Sequence, residues 1–229
     1  MSDKRKDKPH SGHRQRLRAR FERYGLDSFS DLNALELLLF YALPRQDTNP
    51  LAHALLDRFG SLEAVLEADP EELQAVPGMG DHAALFLQLI PALSRRYLIR
   101  KCDGIDVITD PEAAGEYLFP HFTFRQDEII YGLFLDSRYH ILACEELNRG
   151  VINAVEIGVR ALISRALELK CCYLILAHNH PSGIVTPSAE DESATLRLRQ
   201  TLATVGVTLS DHLVFAGNSY MSMSEVGML

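Results

Sequence analysis

An apolar segment that ends in two histidines constrains this chain more than any other feature of its sequence. Residues 173–177 are apolar, and they lead into His178, His180 and Pro181. A short continuous apolar run of this kind predicts a buried β-strand, which should end at Pro181 because proline cannot donate to a sheet. Residues i and i+2 of a strand point to the same face. The two imidazoles can therefore bind one metal ion.

The residues after this strand supply a third ligand. Ser188 is predicted to open a helix, and Asp191 lies one turn into it, where its carboxylate can reach back toward the strand end. Two histidines and one aspartate, with water in the fourth position, are typical of a catalytic zinc site. The spacing Ser188-x-x-Asp191 also fits an ordinary capping box, and a lone histidine on a strand is often structural. Capping leaves both histidines unexplained, and the two interpretations are compatible.

The composition is that of a globular protein. The 229 residues are enough for one large domain or two modest ones. No apolar run approaches the length of a membrane span, and the basic N-terminus predicts no signal peptide. The four cysteines show no CxxC spacing, so we interpret them as reduced thiols of a cytoplasmic protein. The net charge of −8 argues against a nucleic-acid coat protein.

The first part of the chain is predicted to be helical after a basic arm at residues 1–20. The first ten or so residues of this arm are expected to be disordered, and the arm could contact DNA phosphates or simply be a solvated tail. Helices are predicted over residues 31–41, from Asn49 to Gly60, after Ser61, after Asp69, and from residue 82 to about residue 100.

A glycine-containing turn between two of these helices has a possible role in DNA binding. Residues 76–80, which include Gly78 and Gly80, resemble the turn of a helix-hairpin-helix motif, whose glycines let backbone N–H groups approach a phosphate. Asp81 departs from that motif, which often carries a lysine in this region, and a carboxylate repels phosphate. The alternative is a packing turn in an all-helical domain.

The remaining part of the chain mixes strands with helices. A helix is predicted from Pro111 to about Phe119, stopped by Pro120. Strands are then predicted over residues 128–135 and 140–147, a helix over 154–169, the strand that carries the histidines, and a helix over 188–205. Residues 208–215 and 219–223 form a closing hairpin. This order predicts an α/β sandwich around one sheet.

The pattern His-x-His-Pro followed by Ser-x-x-Asp resembles the JAMM motif of the JAB/MPN metalloprotease superfamily. The sequence of residues 178–188 resembles more specifically that of the bacterial RadC family. The resemblance implies an α+β protein, with an all-helical, helix-hairpin-helix-like domain at residues 16–101 after a basic tail at 1–15. Residues 102–229 would form a JAB/MPN cytidine-deaminase-like α/β sandwich with a mixed sheet. It also implies a zinc-dependent hydrolase of amide or isopeptide bonds, a peptide or protein substrate, and a possible link to DNA repair.

The resemblance also assigns the proton carrier. The catalytic glutamate of JAMM proteins begins an apolar strand upstream of a hairpin, a helix and the His-x-His strand, and Glu128 has that place here. As general base it would take a proton from water and pass it to the leaving amine. The competing carboxylates are Glu145, Glu146 and Glu156. Ser188 would donate a hydrogen bond to the oxyanion, as the family implies.

One segment of this chain departs from the family pattern. RadC-like chains commonly carry His-Pro-Arg-Glu where residues 158–161 of this chain read Gly-Val-Arg-Ala. This change puts substrate recognition or a family-specific role in doubt rather than metal binding. A DNA-associated protein with a structural or vestigial metal site is the second hypothesis, and it rests on the basic arm, on Gly78 and Gly80, and on the family's link to DNA repair. A nuclease is the third, although two imidazoles and one carboxylate favour zinc over the hard cations that nucleases use.

Overall fold

The computed structural model describes residues 12–150 and 158–229, which form two compact units. The first unit extends to Ser94 and the second begins at Arg95. This division falls inside a long helix, before the segment 101–104 at which the sequence suggests a domain boundary. Among the described residues, no helix is both long enough and apolar enough to cross a membrane.

The described part of the first unit is built from helices, as the sequence predicts. They are α1 (His13–Tyr24), α2 (Asp31–Ala42), α3 (Asn49–Phe59), α4 (Leu62–Glu67), α5 (Pro70–Gln74) and α6 (Asp81–Lys101), which continues into the second unit. Local signals set their ends. The hydroxyls of Ser30 and Ser61 accept backbone hydrogen bonds and cap α2 and α4. Gly60 ends α3 with a φ of +90°.

Leucines from several helices form the core of this unit. Leu35 of α2, Leu55 of α3 and Leu87 of α6 are fully buried and belong to one cluster. Burying a leucine contributes roughly 1.5–3 kcal/mol, so packing rather than helix propensity holds these short helices together.

One arginine of the basic arm is part of this fold. The Arg14 guanidinium donates hydrogen bonds to the backbone carbonyls of Leu43 and Pro44, at 2.6 and 2.8 Å. These carbonyls lie at and just beyond the end of α2, where backbone acceptors have no partner within the helix. Arg14 therefore fastens α1 to α2 rather than extending into solvent. Residues 1–11 of the arm lie outside the described residues.

The second unit contains a five-stranded mixed sheet. Its elements are α7 (Pro111–Phe122), β1 (Ile129–Leu135), β2 (Ile141–Arg149), α8 (Val159–Glu168), β3 (Tyr173–Asn179), α9 (Ala189–Ala203), β4 (Thr208–Ala216) and β5 (Ser219–Ser222). The strand order is β2-β1-β3-β4-β5, in which β3 and β4 are parallel and the other neighbours are antiparallel. The predicted closing hairpin is confirmed.

Helices cover both faces of this sheet, which confirms the predicted sandwich. Leu118 and Phe122 of α7 pack on one face, beside Phe215 of β4. Leu162 of α8 and Leu198 of α9 pack on the other face. His178 at the end of β3 and Asp191 at the beginning of α9 lie close together on this second side.

Two predicted helix boundaries in this unit were wrong. Pro120 does not stop α7, which continues to Phe122. Proline removes one backbone hydrogen bond, but Phe122 is buried and its ring centroid lies 4.6 Å from that of Phe215, so packing favours most of another helical turn. The helix predicted from residue 154 begins at Val159, because Gly158 has a non-helical backbone. Residues 151–157 lie outside the described residues.

Candidate metal centre

The two histidines at the end of β3 face each other. His178 is 1% exposed, and its Nε2 lies 2.9 Å from Nε2 of His180. The loop after β3 orients the second ring, since Nδ1 of His180 lies 2.7 Å from the carbonyl oxygen of Ile184. A carbonyl only accepts, so Nδ1 of His180 carries the proton and Nε2 presents a lone pair. The predicted same-face geometry is therefore present.

Asp191 lies within reach of both rings. Its Oδ1 is 3.6 Å from Nε2 of His178, and its Oδ2 is 3.4 Å from Nε2 of His180. Ligands of a tetrahedral zinc ion at about 2.0–2.1 Å stand about 3.3 Å from one another. The two ring nitrogens are 2.9 Å apart, and His178 and His180 lie 3.6 and 3.4 Å from the two different oxygens of the Asp191 carboxylate, close to that value. Imidazole nitrogens and a carboxylate are donors that zinc binds.

Ser188 and Asp191 also form a capping box at the start of α9. The Asp191 backbone N–H donates to the Ser188 hydroxyl at 3.1 Å, and the Ser188 backbone N–H donates to Asp191 Oδ2 at 2.8 Å. The capping interpretation is confirmed, and the ligand interpretation of Asp191 is compatible with it and stays a prediction. Burial raises the pKa of Asp191, but the hydrogen bonds from Ser188 and the proximity of His178 outweigh it, so the pKa lies below its usual value.

The Ser188 hydroxyl donates to Asp191 Oδ2 at 2.6 Å. In this arrangement its proton orients the carboxylate and is not directed toward open space. Donation to an oxyanion, which the family resemblance implies, stays a prediction.

Glu128 lies beside the histidines, immediately before β1. One of its carboxylate oxygens and one ring nitrogen each of His178 and His180 all lie within 4.8 Å of one another. Burial, assisted by the charge of Asp191, raises the pKa of Glu128 despite the opposing effect of His180. A carboxylate with a raised pKa is better matched to proton transfer near neutral pH than an ordinary one.

Asn179 fixes the backbone on both sides of Glu128. Its Oδ1 accepts from the Ile129 backbone N–H at 2.9 Å, and its Nδ2 donates to the Asp127 carbonyl at 3.0 Å. The side chain thus extends the pairing of β1 with β3 beyond the last paired residues. The residue between the two histidines therefore ties Glu128 to the strand that carries them.

The competing glutamates are engaged elsewhere or lie outside the described residues. Glu145 pairs with Arg165 at 2.6 Å, and Glu146 pairs with Arg149 at 2.8 Å. Glu156 lies in the segment 151–157, outside the described residues. Among the described residues, the group whose ligand atoms all lie within 4.8 Å of one another consists of Glu128, His178 and His180 and does not include Asp191, so Glu128 is a second carboxylate within reach of a metal ion at this site.

Two buried polar residues behind the site were missed in the sequence. Nδ1 of His178 lies 2.8 Å from Nε2 of His212 in β4, and Nδ1 of His212 lies 2.6 Å from the Thr195 hydroxyl in α9. Burial lowers the pKa of His212 to about 4 and the pKa of His178 well below its usual value. The adjacent Asp211 and His212 interrupt an apolar strand, and this was the available signal.

The glycines considered for DNA binding lie in the first unit, on an exposed turn. Gly78 has a φ of +94°, and the Gly80 carbonyl accepts hydrogen bonds from the N–H groups of Ala83 and Ala84 in the first turn of α6. Asp81 begins that helix. The predicted turn between two helices is confirmed, and the Asp81 carboxylate, which would repel phosphate, directly follows it.

Comparisons with known proteins agree with both halves of this description. The family model described as RadC-like JAB domain matches residues 108–228, which cover the sheet and the candidate site. The model described as SAM-like helix-hairpin-helix tandem matches residues 50–85, which include the glycine turn. The second unit is therefore a JAB domain, and the first contains a helix-hairpin-helix region.

Two relatives match nearly the whole chain. The UPF0758 protein of Ruegeria pomeroyi is 38% identical over 217 residues, which are 95% of this chain and 97% of the relative. The UPF0758 protein of Methylibium petroleiphilum is 39% identical over 216 residues, covering 94% and 96% of the two chains. The chain belongs to the RadC family.

Proposed function

We propose that this protein is a zinc-dependent hydrolase of amide or isopeptide bonds. The observation that carries the proposal is the cluster of His178, His180 and Asp191, in which the two ring nitrogens face each other and each lies within 3.6 Å of a carboxylate oxygen. Two facing imidazole nitrogens beside a carboxylate leave an electron-rich centre that a cation would stabilise. Metallohydrolases in the JAB superfamily support the same function.

The residues around this centre would have different roles in the reaction. His178, His180 and Asp191 would hold the ion, which when bound lowers the pKa of water toward neutrality and polarises a carbonyl. Glu128 would accept the proton of the attacking water and deliver it to the leaving amine. Its raised pKa and its fixed backbone suit this exchange. Ser188 would hold Asp191 in place and, by analogy with the family, assist at the oxyanion.

Metal analysis combined with an activity assay tests this proposal. The purified full-length protein should bind one zinc ion, and His178→Ala should not. A panel of isopeptide-linked and linear peptide substrates should be hydrolysed by the zinc-loaded protein and not by Glu128→Gln, which keeps the metal ligands. Absence of stoichiometric zinc in the wild-type protein, or equal hydrolysis by Glu128→Gln, would refute the proposal.

DNA binding by the helical region is a second candidate function, which requires no catalysis. The helix-hairpin-helix match at residues 50–85 favours it, and so do the exposed arginines of α1, such as Arg16 and Arg23. The metal site would then be structural, and the ligand would be DNA in place of a peptide substrate.

Salt-dependent binding tests this second function. We expect duplex DNA affinity to fall with salt, and Arg16→Glu should weaken it and lower the slope by about one phosphate contact. Arg199→Glu, an equal charge change on an exposed residue of α9, is the matched control. Affinity that is independent of salt and of Arg16 would remove the basis for this function, and Mg²⁺-dependent DNA cleavage would instead indicate a nuclease.

A further inference from the structure

A single chain of polar contacts runs behind the candidate metal centre. From Nδ1 of His178 it passes to Nε2 of His212 at 2.8 Å, and from Nδ1 of His212 to the Thr195 hydroxyl at 2.6 Å. The same hydroxyl lies 2.6 Å from the backbone carbonyl oxygen of Asp191. His212 and Thr195 are 3% and 2% exposed, so their polar atoms depend on one another for hydrogen bonds.

The chemistry of these groups fixes the direction of every proton in the chain. The Asp191 carbonyl can only accept, so the Thr195 hydroxyl must donate its one proton to it. The Thr195 oxygen then accepts from Nδ1 of His212, which leaves Nε2 of His212 as an acceptor. Nδ1 of His178 must donate to that acceptor. The reverse order would leave the 2.6 Å contact between the Thr195 and Asp191 oxygens without a hydrogen.

This direction determines what His178 offers to the site. With its proton on Nδ1, the ring presents a lone pair at Nε2, toward Nε2 of His180 and the Asp191 carboxylate. The other neutral tautomer would point an N–H into the same space and would have to lose that proton before a metal could bind. Position and tautomer of His178 thus both depend on groups outside the His-x-His and Ser-x-x-Asp pattern.

The packing of β3, β4 and α9 brings these groups together. On the parallel strands His212 is in register with Leu176, and His178 is in register with Val214, so His212 and His178 share the face covered by α9. Thr195 and Asp191 are four residues apart on α9 and project from the same side of that helix. One face of the sheet and one face of the helix therefore form the whole chain of contacts.

We propose that His212, fixed by Thr195, is a positioning residue that holds His178 in the tautomer and orientation required for zinc. Histidine ligands of metals usually donate their second N–H to a carboxylate, a carbonyl or water. Here a neutral imidazole takes that role, and it adds no negative charge behind the site. The inference rests on the proposed zinc site and extends it to two residues that the motif does not include.

Zinc affinity of the full-length protein tests the inference. Competition with a chromophoric chelator should show a loss of about 10- to 100-fold for His212→Leu, which removes the acceptor but keeps an apolar side chain of similar size. His212→Gln should retain most of the affinity, because its carbonyl oxygen can accept from Nδ1 of His178. His121→Gln, at a half-buried histidine on the opposite face of the sheet, is the matched control and should bind zinc as the wild type does.

The tautomer of His178 distinguishes a positioning role of His212 from a purely structural role, which would leave that tautomer unchanged. Long-range 1H–15N spectra of the zinc-free wild-type protein should place the proton of His178 on Nδ1. Thr195→Val, which keeps the side-chain shape but removes the hydroxyl, should give a mixture of tautomers and a smaller loss of zinc affinity than His212→Leu. The tautomer measurement on the wild type and Thr195→Val also tests the inference if His212→Leu fails to fold.

Two results would overturn the inference: a proton on Nε2 of His178 in the zinc-free wild type, or unchanged zinc affinity in His212→Leu. These differ from failure of the proposed function. If the wild type binds no zinc, the hydrolase proposal fails, whereas the spectra of the zinc-free protein still decide the role of His212.

Discussion

Replacing Asp191 with asparagine separates its role as a metal ligand from its role in the helix cap. In the wild type, Oδ2 accepts hydrogen bonds from the Ser188 backbone N–H at 2.8 Å and from the Ser188 hydroxyl at 2.6 Å. An asparagine carbonyl oxygen at that position can accept both. Its NH2 group then replaces Oδ1, which lies 3.6 Å from the Nε2 lone pair of His178. The substitution therefore preserves the local hydrogen bonds and removes the charge.

The expected stability of the zinc-free variant follows from those bonds. We expect the free energy of unfolding of Asp191→Asn to stay within about 1 kcal/mol of the wild-type value, because the cap survives. Asp191→Ala, which keeps neither bond, should lose about 0.5–2 kcal/mol. The pair of variants thus measures the cap without any metal.

Zinc should distinguish the wild type from the asparagine variant. At a free zinc concentration of 100 times the Kd, the wild type gains about 2.7 kcal/mol of stability. At about 2–4 °C per kcal/mol for a chain of this size, this corresponds to a rise in Tm of roughly 5–10 °C. Asp191→Asn lacks the anionic ligand and should show little or no rise at the same zinc concentration.

Differential scanning calorimetry with and without zinc provides the assay. Full-length wild type, Asp191→Asn and Asp191→Ala would be compared at one zinc concentration. An equal rise in Tm for the wild type and Asp191→Asn would refute the reasoning, because the carboxylate would then contribute nothing to zinc binding.

Three further predictions concern single side chains. Glu128→Gln should bind zinc normally and lower the hydrolysis rate by about 10²- to 10⁴-fold, as seen in initial rates at equal zinc loading; equal rates would exclude Glu128 as the base. Burial, reinforced by the nearby Arg125 and Arg95, lowers the pKa of His121 to about 4. Because an unfolded histidine titrates near 6.5, the unfolded state binds more protons between about pH 6.5 and 4. The free energy of unfolding should therefore decrease as the pH is lowered from about 6.5 to 4, by up to about 1.4 kcal/mol per pH unit. Urea unfolding of His121→Gln should show a smaller decrease over the same range. Leu118→Ala should destabilise the protein by about 2–5 kcal/mol in urea unfolding, since Leu118 is fully buried. The half-exposed Leu167→Ala should stay within about 0.5 kcal/mol, and equal losses would contradict the assigned core.

The parts of the structure that local sequence patterns encode were predicted well. The apolar run before His178 specifies a buried strand, and the two-residue spacing of the histidines places both rings on one side. The helix start at Ser188 follows from its capping box. These features depend on neighbours within a few residues, so their physical cause can be read directly from the chain.

The missed features depend on contacts between distant segments. His212 reaches His178 across 34 positions in the sequence, and Thr195 reaches His212 across 17. Nothing within a few residues of His212 specifies its partner, because the register of β3 against β4 brings the rings together. The helix α7 passes Pro120 for the same reason: the packing of Phe122 against Phe215 lies outside any local pattern.

The most direct test of the central claim is X-ray absorption spectroscopy at the zinc edge of the zinc-loaded, full-length protein. We expect nitrogen and oxygen ligands at about 2.0–2.2 Å, including two imidazoles, and no bound zinc in His178→Ala. Sulfur at about 2.3 Å, or a zinc environment without imidazole, would show that His178, His180 and Asp191 do not bind the ion.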